Sequence, residues 1–341
     1  MKDLSKYNLL GLVLLFAGCG TATLQEQHYQ GGALGTSYAI TTYSETPEDL
    51  RPAIDSVFRV LNQSLSTYQA DSDISRINAG DSTVQVDQMF REVLEASKEV
   101  FEATDGYFDP TVGTLVDAWG FGPGQALIMD STRVDSLLLY VGLEKVSLGP
   151  DGRIRKTVPG IRLDFNAIAK GYAIDRLAAM LDAHGVPNYL VEVGGEVRTR
   201  GGHPLKGQPW RVGIDDPQVT EGRRIKQIVN LEDRSMASSG NYRKFRVDPG
   251  TGEKFVHTID PHTGFTRNAR VLATSVIAPT CMLADAYATA FMAMELEASQ
   301  ALLASDPELE GYIIYLDDAG QPAEYMTAGF RERVQDLGIT P

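Results

Sequence analysis

Strand-like runs in this 341-residue chain arrive in groups between long helical patterns, and that grouping most restricts what it can fold into. A chain building a parallel sheet would alternate strand and helix strictly. Here an early strand reads over Ser37–Tyr43, followed by helical spacing over Pro47–Ser64 and again over Gln88–Thr104. A third helix is expected over Ala167–His184, then strands at Tyr189–Val193, Arg211–Ile214 and Phe255–Ile259. A long Ala/Met-rich helix follows over Thr280–Ser305, and a strand over Tyr312–Leu316. These periods predict an α+β fold with a largely antiparallel sheet. Glycines mark turns at Gly31-Gly32, Gly120 to Gly124, Gly194-Gly195 and Gly201-Gly202. None leads into a dinucleotide fingerprint or a P-loop, so any nucleotide must be held in another way.

The segment from Asp164 to Gly171 sits where a strand pattern runs into a helix. Ile161, Leu163 and Phe165 alternate as in a half-buried strand, and Ile174, Leu177, Ala178 and Leu181 recur at helical spacing. A helix entrance offers free N–H groups and a positive dipole end, which favour anions. Asp164 and Lys170 there can serve a phosphate and its metal ion; equally, Asp164 can cap the helix while Lys170 stays a solvated charge. A second constellation lies downstream, where Asp285 and Thr289 share one helix face near the helix start. Carboxylate and hydroxyl are hard oxygen ligands suited to Mg²⁺, although both groups also suit a helix start without any metal. A third stretch, Ala237 to Arg243, reads as a small-residue loop able to approach a ligand closely. His257 falls in the strand before the Asp260-Pro261 turn, on the face of Ile259.

The N-terminus reads as an export signal. Lys2 and Lys6 precede an apolar run, Leu9 to Phe16, that is too short to span a bilayer. It ends in Ala17-Gly18-Cys19, similar to the lipobox of bacterial lipoproteins. The reading is therefore a signal peptide over 1–18, a lipidated Cys19 heading a tether over 19–30, and one domain over 31–341. A formal net charge of −14 argues against a nucleic-acid partner. With Cys19 lipidated, Cys281 is left alone, which excludes an internal disulfide and a cysteine-built zinc site.

Taken in order, the motifs resemble those of the ApbE flavin transferases. They are Leu34-Gly35-Thr36, Leu65 to Tyr68, Asp73 to Arg76, Tyr107 to Gly113, Trp119 to Gly122, the Asp164 segment, Glu192 to Glu196, Ser239-Gly240, the His257 turn, and Asp285 to Thr289. The resemblance runs from about Gly32 to Gly329. It implies a single T-fold-like domain, its mostly antiparallel sheet packed with helices. It also implies Mg²⁺-dependent transfer of FMN from FAD to a threonine hydroxyl of a target protein, with AMP released. The implied targets are redox subunits of sodium-pumping NADH:quinone reductase or Rnf-type complexes. The implied location is the periplasmic side of a membrane, inner membrane favoured. FAD contacts fall on Leu34, Tyr68, Tyr107, Phe108, Asp109, Asp164, Lys170 and Ile259. Magnesium ligands fall on the Ala167 carbonyl, Asp285 and Thr289. For the general base, His257 competes with Asp285. Two alternatives stay open: an FAD pyrophosphatase, against which a tyrosine at position 68 speaks, and a non-enzymatic flavin-binding lipoprotein, against which the metal constellation speaks.

Overall fold

A computed structural model describes residues 23–335, apart from 220, 221, 223, 242–244, 248–253, 268 and 269. The signal segment and Cys19 lie outside the described residues, as do Tyr242 and Arg243 of the small-residue stretch. The chain opens with a hairpin, β1 (Gln25–Ala33) and β2 (Thr36–Ser44). Five helices follow: α1 (Arg51–Leu65), α2 (Asp73–Asn78), α3 (Gln88–Ala103), α4 (Gly113–Trp119) and α5 (Ser131–Leu138). A short ribbon, β3 (Val146–Leu148) with β4 (Ile154–Lys156), leads to α6 (Ala169–Ala183). Then come β5 (Asn188–Val193), β6 (Glu196–Arg200), the ribbon β7 (Trp210–Asp215) with β8 (Ile225–Leu231), and β9 (Ser235–Gly240). A further ribbon, β10 (Phe245–Val247) with β11 (Lys254–Val256), precedes β12 (Val271–Ala278). The chain continues through α7 (Cys281–Ala293), α8 (Leu296–Ser305), β13 (Glu310–Leu316), β14 (Pro322–Met326) and α9 (Ala328–Arg333).

Eight strands form one sheet in the order β1-β2-β5-β6-β9-β12-β13-β14, each neighbouring pair antiparallel. The expected α+β class is what the chain adopts. Strand alternation sends side chains to two cores. Ile40, Val191, Val193, Val276 and Ile313 face the larger core, with α1, α3, α6 and α7. Val197, Met236, Ile277 and Ile314 face a second core under the β7–β8 ribbon and Phe330 of α9. α7 is apolar almost all round and buried, as such a sequence must be.

Several boundaries differ from the sequence reading. The stretch read as a tether up to residue 30 is strand from Gln25 onward, paired residue for residue with β2. Ile161–Phe165 is extended with its apolar side chains buried, but it makes only one bridge, Val112 to Arg162, and so is no strand. The helix expected over Thr280–Ser305 breaks at extended Met294 and Glu295, where Arg267 reaches in to pair with Glu295. No glycine or proline marks that break. The small-residue stretch expected as a loop is in fact strand β9 up to Gly240.

Candidate functional site

The start of α6 abuts the start of α7, and Gly171 makes that possible. A methyl group on Gly171 would run into the Cys281 backbone carbonyl and come within 2.8 Å of Met282 Cα. The junction is locked by Asp175, one turn further along α6. Its carboxylate accepts from the N–H groups of Cys281 (3.0 Å) and Met282 (2.8 Å) and pairs with Arg198 of β6 at 2.6 Å. Free N–H groups of the α7 entrance are thus satisfied from another helix.

Close packing brings Asp285 against the first turn of α6. Its Oδ2 accepts from Gly171 N–H at 3.0 Å, and its Oδ1 lies 3.3 Å from Lys170 Nζ. In a regular helix Gly171 N–H would go to the Ala167 carbonyl. Because Asp285 takes that donor, no backbone N–H among the described residues claims the carbonyl of Ala167. Lys170 also donates to Glu196 Oε1 at 2.8 Å, from the first residue of β6. Asp285 and Glu196 are only 2% and 4% exposed, so two buried carboxylates face one ammonium. Glu196 Oε2 is buried without a partner among the described residues. Burial pushes the Asp285 carboxyl up to about 7; Lys170 pulls it down and the charge of Glu196 adds to the rise. Lys170, despite burial, is pushed up by Asp285 and Glu196 and stays charged.

The site occupies one end of the sheet, among hairpin turns. Leu34 and Gly35 turn β1 into β2 with φ of 52° and 73°, the left-handed pair a tight two-residue hairpin requires. Gly194-Gly195 turn β5 into β6 directly beside them, Gly194 N–H bonding to Ser37 O at 3.0 Å. One turn along α7 from Asp285, Thr289 Oγ1 lies 3.4 Å from Ser239 Oγ at the same end of β9.

Tyr68 joins through Thr67, whose hydroxyl accepts from Asn166 Nδ2 at 3.4 Å. The tyrosine ring is 66% exposed, an open aromatic face beside Asp164. Burial first, then the charges of Asp164 and Asp117, raises its phenol pKa. Asp164 does not cap α6, whose N-cap is Ile168. It accepts from Asn166 N–H at 2.7 Å, and burial raises its carboxyl.

The remaining sequence-derived residues lie around α4 and α5. Asp109 is committed to its loop: Oδ1 accepts from Thr111 N–H (2.7 Å) and hydroxyl (2.6 Å), and Oδ2 from Leu143 N–H (3.2 Å). Phe108 is buried in the main core, and the Tyr107 ring meets His262 edge-on at 4.5 Å. Ile259 packs with Leu115 and Trp119. A cavity of 480 Å³ borders Asp109 and His262, but Glu102, Asp105 and Glu144 also line it, which does not suit a phosphate. The loop still touches the α6 entrance, since Asp164 N–H bonds to Pro110 O at 2.7 Å. His257 lies in a bend just past β11, not within a strand as the sequence suggested. Its neighbour Thr258 donates to Asn241 Oδ1 at 2.8 Å, which ties the bend to the end of β9 that carries Ser239.

Would the residues fit a divalent cation? Among the described residues no trio of His, Cys, Asp or Glu gathers round one point. The donors at hand are the Asp285 carboxylate, the Thr289 hydroxyl and the unclaimed Ala167 carbonyl. An all-oxygen set with a single carboxylate fits Mg²⁺, which keeps several waters and phosphate oxygens as its other ligands. Sequence reasoning gave no role to Gly171, Asp175 or Glu196. The Gly-Gly-Glu run signals Glu196 and the Lys-Gly step signals Gly171, while no motif singles out Asp175.

The model of the ApbE family matches residues 34–313. A Haemophilus influenzae protein named FAD:protein FMN transferase is 30% identical over 332 residues, covering 94% of each chain. Its Vibrio cholerae counterpart is 32% identical over 331 residues, covering 94% of this chain and 96% of that one. The solved flavin transferase ApbE from Vibrio cholerae superposes with a TM-score of 0.81 at 30% identity, covering 91% of this chain and all of that one. On a family match and full-length likeness of this extent, the chain belongs to the ApbE family.

Proposed function

We propose that the protein is an FAD:protein FMN transferase that moves FMN from FAD onto a threonine hydroxyl of a target protein and releases AMP. The observation that carries this reading is the junction of α6 and α7, where the Lys170 ammonium and the Asp285 carboxylate meet at a helix entrance, with Thr289 one turn further along α7. The names of the full-length relatives support it.

The threonine oxygen attacks the flavin-side phosphorus. A new P–O bond forms, the bond from that phosphorus to the bridging oxygen breaks, and the electron pair leaves with AMP. The chemistry needs alignment and charge neutralisation more than covalent help. Lys170 supplies a fixed positive charge for the phosphates. Asp285, Thr289 and Ala167 would hold a magnesium ion, which offsets further negative charge when bound. Exposed Tyr68 offers a flat face for the isoalloxazine ring. The threonine proton goes to His257 in our reading, with Asp285, near 7, as competitor. The likeness of Cys19 to a lipidated cysteine supports anchoring on the periplasmic side of the inner membrane. Redox subunits of NADH:quinone reductase or Rnf-type complexes are the targets that fit such a place.

The test is direct. Protein, FAD, Mg²⁺ and a candidate threonine-bearing target domain are incubated, and the target's intact mass is measured. A gain equal to FMN, lost on adding EDTA, is the expected result. An unchanged target with FMN accumulating would make the protein an FAD pyrophosphatase, and unchanged FAD would leave only a flavin carrier.

A further inference from the structure

Glu196 is one acid too many for a simple ion pair. It is 4% exposed and accepts from Lys170 at 2.8 Å, closer than the 3.3 Å to Asp285. Its second oxygen is buried with no hydrogen bond among the described residues. A buried carboxylate kept for the fold alone has both oxygens satisfied, because an unpaired one is costly. Asp285, by contrast, is anchored through Oδ2 to Gly171 N–H, which leaves Oδ1 as the oxygen able to change partners.

We infer that Glu196 is the positioning residue that keeps the Lys170 ammonium at the phosphate-binding point when Asp285 turns to a divalent cation. An ammonium and a dication repel, and Oδ1 cannot serve both at full strength. Glu196 gives Lys170 a second anion on a different element. It follows Gly194-Gly195, whose φ values of 67° and 109° fix the hairpin end that presents it. Lys170 then keeps its place whichever partner Asp285 takes. The inference rests on the reading that FAD phosphates bind here, and it adds what holds the cation that meets them.

The sign of one substitution separates positioning from plain charge. FAD is an anion, so removing a nearby carboxylate by charge alone should tighten its binding. If Glu196 positions Lys170, Glu196→Gln should instead weaken it. FAD is titrated into the full chain at saturating Mg²⁺, followed by quenching of flavin fluorescence, with thermal melting to confirm folding. The expected result is about tenfold weaker binding for Glu196→Gln, the order of loss for a charge-assisted hydrogen bond. Partial recovery is expected in Glu196→Asp, and no further loss when Glu196→Gln is added to Lys170→Gln. Unchanged or tighter binding by folded Glu196→Gln would overturn the inference, as would an equal loss in the Lys170→Gln background. If Glu196→Gln does not fold, Glu196→Asp decides, and wild-type affinity there would also overturn it. Failure of the wild type to bind FAD at all would overturn the proposed function and this inference with it.

Discussion

Two acidic regions flank the entrance of α6, and they treat their carboxylates in opposite ways. Both carboxylate oxygens of Asp109 are bonded: three donors from Thr111 and Leu143 hold them. Asp260, in the turn beyond His257, is likewise held by the N–H groups of His262 and Thr263 and by Arg267. Around Asp285 the bonding is incomplete. Among the described residues Glu196 Oε2 lacks a partner, the Ala167 carbonyl has lost its helical donor, and two carboxylates share one ammonium. Both regions are buried, and burial raises the carboxyl pKa of Asp109 as of Asp285. The contrast teaches that burial alone does not mark a site. What sets the Asp285 region apart is Glu196 Oε2, the one buried carboxylate oxygen without a partner among the described residues.

The largest effect that could break the contrast is expected at Gly171. Gly171→Ala forces the α6–α7 junction apart, because the obstructing atoms are backbone. Overpacking of this kind should cost about 1–3 kcal/mol in chemical denaturation. FMN transfer should fall by about 10²-fold even in the folded fraction, since displaced Asp285 and Lys170 no longer align the phosphates. A folded Gly171→Ala protein with wild-type transfer would place the chemistry elsewhere.

An effect on transfer alone, without the cost in stability, belongs to His257. If it takes the threonine proton, His257→Ala should slow single-turnover transfer at saturating FAD by at least about 10²-fold, the lower end for a general base. FAD affinity should stay within about twofold, a shift of roughly RT ln 2. Poorer FAD binding with normal transfer once saturated would make His257 a positioning residue and leave Asp285 as the base.

The smallest change is at Tyr68, which is too exposed to support the fold. Tyr68→Asn should leave the melting temperature unchanged and weaken FAD by about 1 kcal/mol for a lost aromatic stack. It should also shift product from flavinylated target toward free FMN, read by mass and fluorescence together. An unaltered product ratio would remove Tyr68 as the discriminator between transferase and hydrolase.

Much of this was legible in the chain. Strand grouping gave the antiparallel sheet, and Asp285 with Thr289 could be paired across one helical turn because helix periodicity is local. What escaped depends on contacts distant in sequence. Gly171 looks like any glycine in a helix until Cys281 lies against it, and Asp175 caps a helix that begins 106 residues later. The break after Ala293 carries no glycine or proline; it falls where Arg267 meets Glu295. Asp109, Phe108 and Ile259 rest on family resemblance, and the structure buries them in local packing and hydrogen bonds.

The contrast between the two acids is tested most directly by melting temperature at pH 8 for Asp285→Asn beside Asp109→Asn, with transfer measured on the same samples. For Asp285 the folded carboxyl sits near 7, above its unfolded value of 3.8. Between those values the folded state binds more protons, so its contribution to stability falls as pH rises, and at pH 8 the charge is a burden. Asp285→Asn should therefore melt no lower than wild type and transfer at least about 10²-fold more slowly, the loss typical of one preorganised electrostatic group. Asp109→Asn should melt lower, since an amide cannot accept all three of its donors, while its folded fraction keeps transferring. The opposite pattern, with Asp285→Asn unstable and active and Asp109→Asn stable and inactive, would contradict the account.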